Sequence, residues 1–176
     1  MSQEAGLTHR QRQALQTRRL IVDAASRLFL ERGYGLTTME AIAAEAGVAV
    51  RTVYAIFKNK RAFLGEIRSA LLDQARTREI HEEARKQRDP QRRLEMIAHQ
   101  SRLQWEFGGG MIAIHESAAA VDLEAAAELR EVLGGRRWIM TRFIQEMKDT
   151  LRPDLDASRA TAILLALCQP GFVLIG

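Results

Sequence analysis

The chain has 176 residues, of which 47% are hydrophobic and 27% charged, so it can bury a core and is not an intrinsically disordered protein. Its single cysteine, Cys168, excludes an internal disulfide framework and supplies no set of metal ligands. The net charge of +4 is concentrated near the N-terminus, because residues 1–61 hold ten Lys and Arg against five Asp and Glu, whereas residues 62–176 hold 16 against 17.

The opening residues are polar and lack the apolar core of a signal peptide, and no apolar run reaches the roughly 18 residues of a membrane span. We therefore expect a cytoplasmic protein that binds no membrane. Three prolines, abundant Ala, Leu, Glu and Arg, and the lack of an alternating strand pattern predict an all-α fold. Residues 1 to about 16 are expected to form a flexible arm. A first helix is predicted from Arg18 to Arg32, ending at Gly33.

The stretch from Leu36 to Lys60 has the pattern of two short helices joined by a tight turn. Thr37 is predicted to cap the first of them, with Glu40 completing a capping box. Gly47 supplies the positive φ that a chain leaving a helix often needs. An apolar stripe at helical spacing, formed by Val53, Ile56 and Phe57, then marks the second helix. This arrangement predicts a helix-turn-helix.

The remaining two thirds of the chain predict further helices. Asn59 is expected to cap the next one, and its charged continuation TREIHEEARKQRDP is expected to be a solvated connecting helix. The glycines at 108–110 are predicted to end a helix that begins after Pro90. A long helix is predicted from about Asp122 to Thr150, bent at Gly134 and Gly135, and a last one from about Asp156 to Gln169.

The residues LTTMEAIAAEAGVAVRTVYAIFKNKRAFL, together with the AA-x-x-LF pattern of the first helix, resemble the TetR family of bacterial one-component transcription regulators over about residues 18–66. The resemblance implies a three-helix DNA-binding domain over residues 1–61 and a helical domain over 62–176 for effector binding and dimerisation. The sequence departs from many members of the family at Ala49 and Ile56, where Ser and His are common. One helix cap and one DNA-backbone contact of the family are therefore absent. These expectations make the protein a DNA-binding regulator, most often a repressor released by a small molecule.

The resemblance and the chemistry of the side chains together assign DNA contacts. Arg51 is expected to read guanine, and the other groove-facing residues offer mainly methyl contacts. For Tyr54 and Lys60 the competing interpretation is a packing residue and a surface charge. The residues expected to contact the DNA backbone are Arg18, Thr37, Thr38, Tyr54, Lys58 and Lys60, and those expected to face the major groove are Val50, Arg51, Thr52 and Ala55.

The C-terminal part offers a weaker set of candidates for an effector pocket, because aromatic and Met residues at helical spacing also form ordinary cores. They are Trp105, Phe107, Met111, His115, Trp138 and Phe143. The resemblance implies a homodimer built from the last two long helices, of which only one is visible before the chain stops on GFVLIG. An alternative is therefore a truncated or degenerate family member that acts as a heterodimer subunit.

An enzyme is the competing class, and the sequence does not favour it. The four histidines are scattered, at positions 9, 81, 99 and 115, and no sequence-adjacent base accompanies Cys168. No metal-binding, phosphate-loop or nucleophile-elbow motif occurs in the sequence. We expect no catalytic residue, no metal and no cofactor.

Overall fold

The structure, a computed structural model, describes residues 8–168 apart from the side chains at positions 107 and 109. Within that range it contains eight α-helices, one short 3-10 helix and no strand, which confirms the all-α prediction. The helices are α1 (His9–Arg32), α2 (Met39–Glu45), α3 (Val50–Ile56), α4 (Ala62–Gln74), α5 (Thr77–Lys86), α6 (Pro90–Ala119), α7 (Leu123–Gln145) and α8 (Ala157–Leu167), with the 3-10 helix at Lys148–Thr150.

The first helix begins much earlier than the sequence predicted. Thr8 accepts a hydrogen bond from the Gln11 amide, and the Gln11 side chain accepts one from the Thr8 amide, so a complete capping box starts α1 at His9. The prediction of a flexible arm is therefore wrong for residues 9–16. The part of that prediction that concerns residues 1–7 lies outside the described residues.

A first hydrophobic core joins α1, α2, α3 and α4 and extends to α6 and α7. It crosses the domain boundary that the sequence placed at residue 61, because Phe63, Leu64 and Ile67 of α4 are buried in it. The aromatic ring of Phe63 packs edge-on to Phe29 and lies 4.2 Å from the ring centre of Phe57. The N-terminal helices are thus supported by the helices that follow them, as a core this small requires.

A second core lies at the other end of the molecule, between α5, α6, α7 and α8. The charged segment expected to form a solvated connector is instead a separate helix, α5, which packs on α6 through buried Ile80 and Ala84. Arg76 separates it from α4 with a left-handed backbone, φ 49°. A short local break that no Gly or Pro marks is difficult to see in a sequence.

The glycine triplet at 108–110 bends a helix but does not end it. The backbone of Gly108 leaves helical geometry, with φ −141° and ψ 26°, and α6 continues to Ala119. A Cβ at Gly108 would lie 2.3 Å from Leu71 of α4, and one at Gly110 would lie 2.6 Å from Leu30 of α1. These glycines therefore let α6 approach α1 and α4 closely.

The later helices begin close to their predicted starts, but not all of them end where predicted. Asp89, Asp122 and Asp156 each accept backbone hydrogen bonds at the start of α6, α7 and α8. However, α7 ends at Gln145 and not at Thr150, and it passes Gly134 and Gly135 without a break. Residue Gln169, the predicted end of α8, lies outside the described residues.

Candidate nucleic-acid interface

The turn between α2 and α3 closes as a Schellman motif. The Gly47 amide donates to the Ala44 carbonyl, and the Val48 amide donates to the Ala43 carbonyl over 3.0 Å. Gly47 has φ 67°, a left-handed conformation that a residue with a Cβ rarely adopts, so the glycine predicted for this turn is needed there. Val48 packs against the first core and fixes the direction in which α3 leaves.

The residue that caps α2 is Thr38, and the prediction of Thr37 is wrong. Thr38 is exposed, and its hydroxyl accepts the Ala41 amide over 3.1 Å. Thr37 is only 2% exposed, and its hydroxyl donates inward to the Gly33 carbonyl over 2.9 Å. The side chain of Thr37 is therefore turned away from solvent, and its hydroxyl holds the loop between α1 and α2.

Helix α3 is held by one face and presents the other to solvent. Val53 is completely buried, whereas Tyr54 is 48% exposed. The Tyr54 hydroxyl lies 3.4 Å from Glu40 Oε1 on α2. The outward face carries Val50, Arg51, Tyr54 and Ala55, all exposed, with half-buried Thr52 at its edge and exposed Lys58 just beyond the helix. Ala49 precedes α3 and gives it no side-chain cap, as its chemistry predicts.

Lys60 points away from that face and into the loop between α1 and α2. Its ammonium donates to the carbonyls of Tyr34 (2.5 Å), Thr37 (3.0 Å) and Gly35 (3.3 Å) and lies 4.3 Å from the centre of the Tyr34 ring. An ammonium has three protons to donate, so these carbonyls use its full capacity. Desolvation lowers the pKa of Lys60. This geometry corresponds to neither the expected phosphate contact nor a simple surface charge.

Arg18 is likewise engaged within the protein. Its guanidinium donates to both carboxylate oxygens of Glu66, at 2.7 and 3.1 Å, and lies 4.8 Å from the centre of the Phe57 ring. The hydrogen bond lowers the pKa of the Glu66 carboxyl. The pair joins α1 to α4 on the side of the buried Phe57, so it holds the frame around α3.

A contact that the sequence did not indicate joins these helices to α6 and α7. The Tyr34 amide donates to the Ser117 hydroxyl over 3.1 Å, and the Tyr34 hydroxyl lies 3.4 Å from Asp122, the cap of α7. Arg61 forms ion pairs with Glu124 and Glu128 of α7. These partners are separated by more than 60 positions in the sequence, so local patterns carry no signal for them.

A cavity of about 690 Å³ lies beside this junction, between α4, α5, α6 and α7. Three of the residues proposed from the sequence, Trp105, Met111 and His115, line it. Trp138 is 60% exposed on the surface and Phe143 is buried in the second core, so neither lines the cavity. The side chain of Phe107 lies outside the described part of the structure.

One end of the cavity carries a hydrogen-bonded cluster. The Thr77 hydroxyl accepts from the side-chain amides of Gln100 and Gln104, and Gln100 Oε1 lies 3.3 Å from His81 Nε2. Burial lowers the pKa of His81, so its imidazole is neutral at neutral pH. The ring Nδ1 of His115 lies 2.9 Å from the Met111 carbonyl, to which it donates.

Among residues 8–168, no group of three or more His, Cys, Asp or Glu side chains is placed to hold a metal ion. None of the helices in the same range is both long and apolar enough to span a bilayer.

Comparison with known proteins agrees with this geometry. Residues 21–67 match the family model described as bacterial regulatory proteins, tetR family. The uncharacterized HTH-type transcriptional regulator YhgD of Bacillus subtilis strain 168 is 39% identical over 59 residues, a segment that spans 34% of this chain and only 31% of that protein.

Solved structures resemble the whole fold. The fatty acid degradation regulator FadR from Bacillus halodurans gives a TM-score of 0.68 at 21% identity, over 91% of this chain and 95% of that one. The transcriptional regulator FadR from Bacillus subtilis, in complex with stearoyl-CoA, gives a TM-score of 0.70 at 20% identity. The match covers 89% of this chain and 86% of that one. At identities this low, the similarity shows only that the folds are alike.

Proposed function

We propose that this chain, whose residues 21–67 match the tetR family of bacterial regulatory proteins, is a cytoplasmic, sequence-specific DNA-binding regulator, a repressor that a small-molecule effector releases from its operator. The observation that carries the proposal is the outward face of α3. Its residues are exposed on a helix anchored by Val53 and by the Schellman turn. A rigid helix with a free face of this size fits the major groove of double-stranded DNA.

Arg51 is the residue we assign to base recognition. A guanidinium can donate two hydrogen bonds to guanine O6 and N7, and Arg51 is exposed in the first turn of α3. Val50, Thr52 and Ala55 beside it offer apolar contacts to thymine methyl groups. The phosphates are assigned to Thr38, Tyr54 and Lys58, whose polar ends are exposed around the same face.

Arg18 and Lys60 receive a different role in this proposal. Both cations are occupied by partners within the protein, Arg18 by Glu66 and Lys60 by three carbonyls. We assign them to positioning: Arg18 holds α1 against α4, and Lys60 holds the loop that leads into Thr38. Their effect on DNA binding is then indirect.

The cavity is the proposed effector site. Its volume lies in the range of small-molecule pockets, and apolar side chains with a few polar groups line it. That a protein of the same fold was solved with stearoyl-CoA supports the idea of a ligand-binding helical part. We assign no catalytic step to the cavity, so the effector is bound and released unchanged.

A homodimer is proposed to carry two copies of α3. Large apolar side chains remain exposed on the paired helices α7 and α8, namely Leu133, Trp138, Ile163 and Leu167. Burying them against a second copy removes apolar surface from water. Sedimentation velocity tests this: the wild type should sediment as a dimer and Ile163→Glu as a monomer. A monomeric wild type would favour the heterodimer subunit.

The function itself is tested by nuclease footprinting on the intergenic DNA next to the coding sequence. The wild type should protect one site with two half-sites about 34 to 36 Å apart. Arg51→Ala and Tyr54→Phe should weaken the protection, while Arg130→Ala, an exposed arginine on α7, should not. Equal protection by all four proteins would contradict the assigned face.

A further inference from the structure

The cavity has the shape of a groove. Both α4 and α7 pack on α6, which forms the floor between them. The lining residues of α6 run from Gln100 to His115, a length of about 22 Å along a helix. The middle of the groove is apolar, with Leu71 and Leu72 on one wall, Val132 and Ile139 on the other, and Trp105, Met111 and Ile112 on the floor. An elongated apolar molecule fits such a shape.

Each wall of the groove carries a glycine with open space beside it. Gly65 of α4 and Gly135 of α7 both line it, and a Cβ added to either would meet nothing within 4 Å. Neither wall therefore has a side chain at these positions to close the space. We take this as the entrance through which a ligand reaches the apolar floor.

Three arginines line the groove, and their partners distinguish them. Arg61 pairs with Glu124 and Glu128. Arg136 donates to the Cys168 carbonyl over 2.8 Å. Arg68, half-buried and one turn along α4 from Gly65, makes no ion pair or hydrogen bond with any residue in the described part of the chain. A guanidinium beside an apolar surface and without a counter-ion attracts an anion.

Several other polar groups of the groove bond within the protein or face water. At the far end, Thr77, His81, Gln100 and Gln104 bond to one another, so that cluster needs no ligand. Glu131, on the wall opposite Arg68, is exposed, and solvent screens its charge. The apolar floor and the Arg68 guanidinium, which has no partner in the described part of the chain, therefore remain available to a ligand.

We propose that the effector is an elongated amphipathic acid whose aliphatic part lies along α6 and whose anionic head group is held by Arg68 at the entrance. This rests on the proposed function in taking the cavity as the effector site. It adds the chemical class of the ligand and the residue that selects it.

The test uses the full-length chain without DNA, so a failure to bind an operator does not affect it. In a Trp138→Phe background, Trp105 on the groove floor is the only tryptophan, and its fluorescence reports ligand binding. The probes are myristate, the matching neutral alcohol tetradecanol, the cation tetradecyltrimethylammonium, and short-chain hexanoate, each below its micelle concentration. Myristate should bind most tightly and hexanoate most weakly.

Two pairs of variants then distinguish the binding of the anionic head group from the binding of the aliphatic part of the ligand. Arg68→Gln should lower the affinity for myristate about ten- to hundredfold and leave the affinity for tetradecanol unchanged. Arg130→Gln should change neither affinity. Gly135→Leu should fill the groove and remove binding of myristate and tetradecanol. Gly134→Leu, also in open space but outside the lining, should retain it. Circular dichroism and a thermal melt confirm that each variant is folded.

The proposal is overturned if myristate does not bind, if tetradecanol or the ammonium probe binds as tightly as myristate, or if Arg68→Gln leaves myristate affinity unchanged. A protein that binds myristate in this pattern but protects no DNA would retain this inference and refute the proposed function. A protein that protects DNA but binds none of the probes would do the opposite.

Discussion

The Lys60 ammonium lies 4.3 Å above the Tyr34 ring and at the same time donates to the Tyr34 carbonyl over 2.5 Å. Tyr34 in turn contacts Ser117 and Asp122, at the end of α6 and the start of α7. Lys60 and Tyr34 thus connect the loop before Thr38 to the helices that enclose the cavity. In the proposed function, these contacts are where a ligand that moves α6 or α7 would act on the loop before Thr38.

We first predict that Lys60→Met destabilises the protein by about 1 to 3 kcal/mol, because the half-buried carbonyls of Tyr34 and Thr37 lose their donor. Lys58→Met, which changes an exposed lysine two positions away, should leave the free energy of unfolding within about 0.5 kcal/mol of the wild type. Urea denaturation measures both. If Lys60→Met unfolds like the wild type and only weakens DNA binding, then Lys60 is a phosphate contact after all.

The second prediction concerns alkaline pH. Burial, with Asp122 nearby, raises the pKa of Tyr34 to about 12, above the value near 10 of an unfolded chain. Between these values the folded state binds more protons than the unfolded state, so stability falls as the pH rises from about 10 to about 12. Tyr34→Phe should remove this contribution.

Lys60 lies over the same ring and titrates with the opposite sign, because its pKa is lowered in the folded state. The quantity to measure is therefore the difference between the wild type and Tyr34→Phe in urea denaturation at several alkaline pH values. The difference should shrink as the pH rises. A constant difference would show that Tyr34 ionises normally in the folded protein.

The third prediction separates the two adjacent threonines. Thr38→Val should lose the cap of α2, at a cost of about 1 kcal/mol, and should also weaken DNA binding. Thr37→Val should cost a similar amount of stability through its lost hydrogen bond to Gly33, but should bind DNA normally once folded. Denaturation and fluorescence anisotropy on one operator fragment measure the two effects. Equal DNA affinities for both variants would remove Thr38 from the interface.

The local features of the fold were accessible from the sequence because they depend on residues close in the chain. Asp89, Asp122 and Asp156 cap helices within three residues of themselves, and Gly47 is dictated by one backbone conformation. The apolar stripe through Val53 and Phe57 likewise follows from helical periodicity alone.

The errors concern choices that depend on how the folded backbone brings groups together. The Thr37 hydroxyl is used by the Gly33 carbonyl across a loop, which leaves Thr38 to cap α2. The direction of Lys60 depends on carbonyls more than 20 positions away. The kink at Gly108 looked like a helix end because the sequence does not show that Leu71 packs against it. Trp138 and Phe143 do not line the cavity, and the sequence could not show this, since helical spacing does not say which neighbour a helix face meets.

The fourth prediction uses two helical glycines with opposite surroundings. Gly108→Ala should destabilise the protein by about 1 to 3 kcal/mol, because the added methyl would overlap the buried Leu71. Gly134→Ala, where the methyl meets nothing within 4 Å, should stabilise it by about 0.5 to 1 kcal/mol through helix propensity. Thermal unfolding of both variants measures the effects. Equal melting temperatures would mean that α6 relaxes away from Leu71.

The proposal that α3 reads DNA through Arg51 is tested most directly by measuring DNA affinity. Wild type and Arg51→Ala are each titrated with the footprinted operator and with a scrambled duplex, at several salt concentrations. We predict that Arg51→Ala loses about 1 to 3 kcal/mol on the operator and much less on the scrambled duplex. Lys58→Ala should weaken both and reduce the salt slope by about one. Equal losses on both duplexes for Arg51→Ala, or none on either, would contradict the claim.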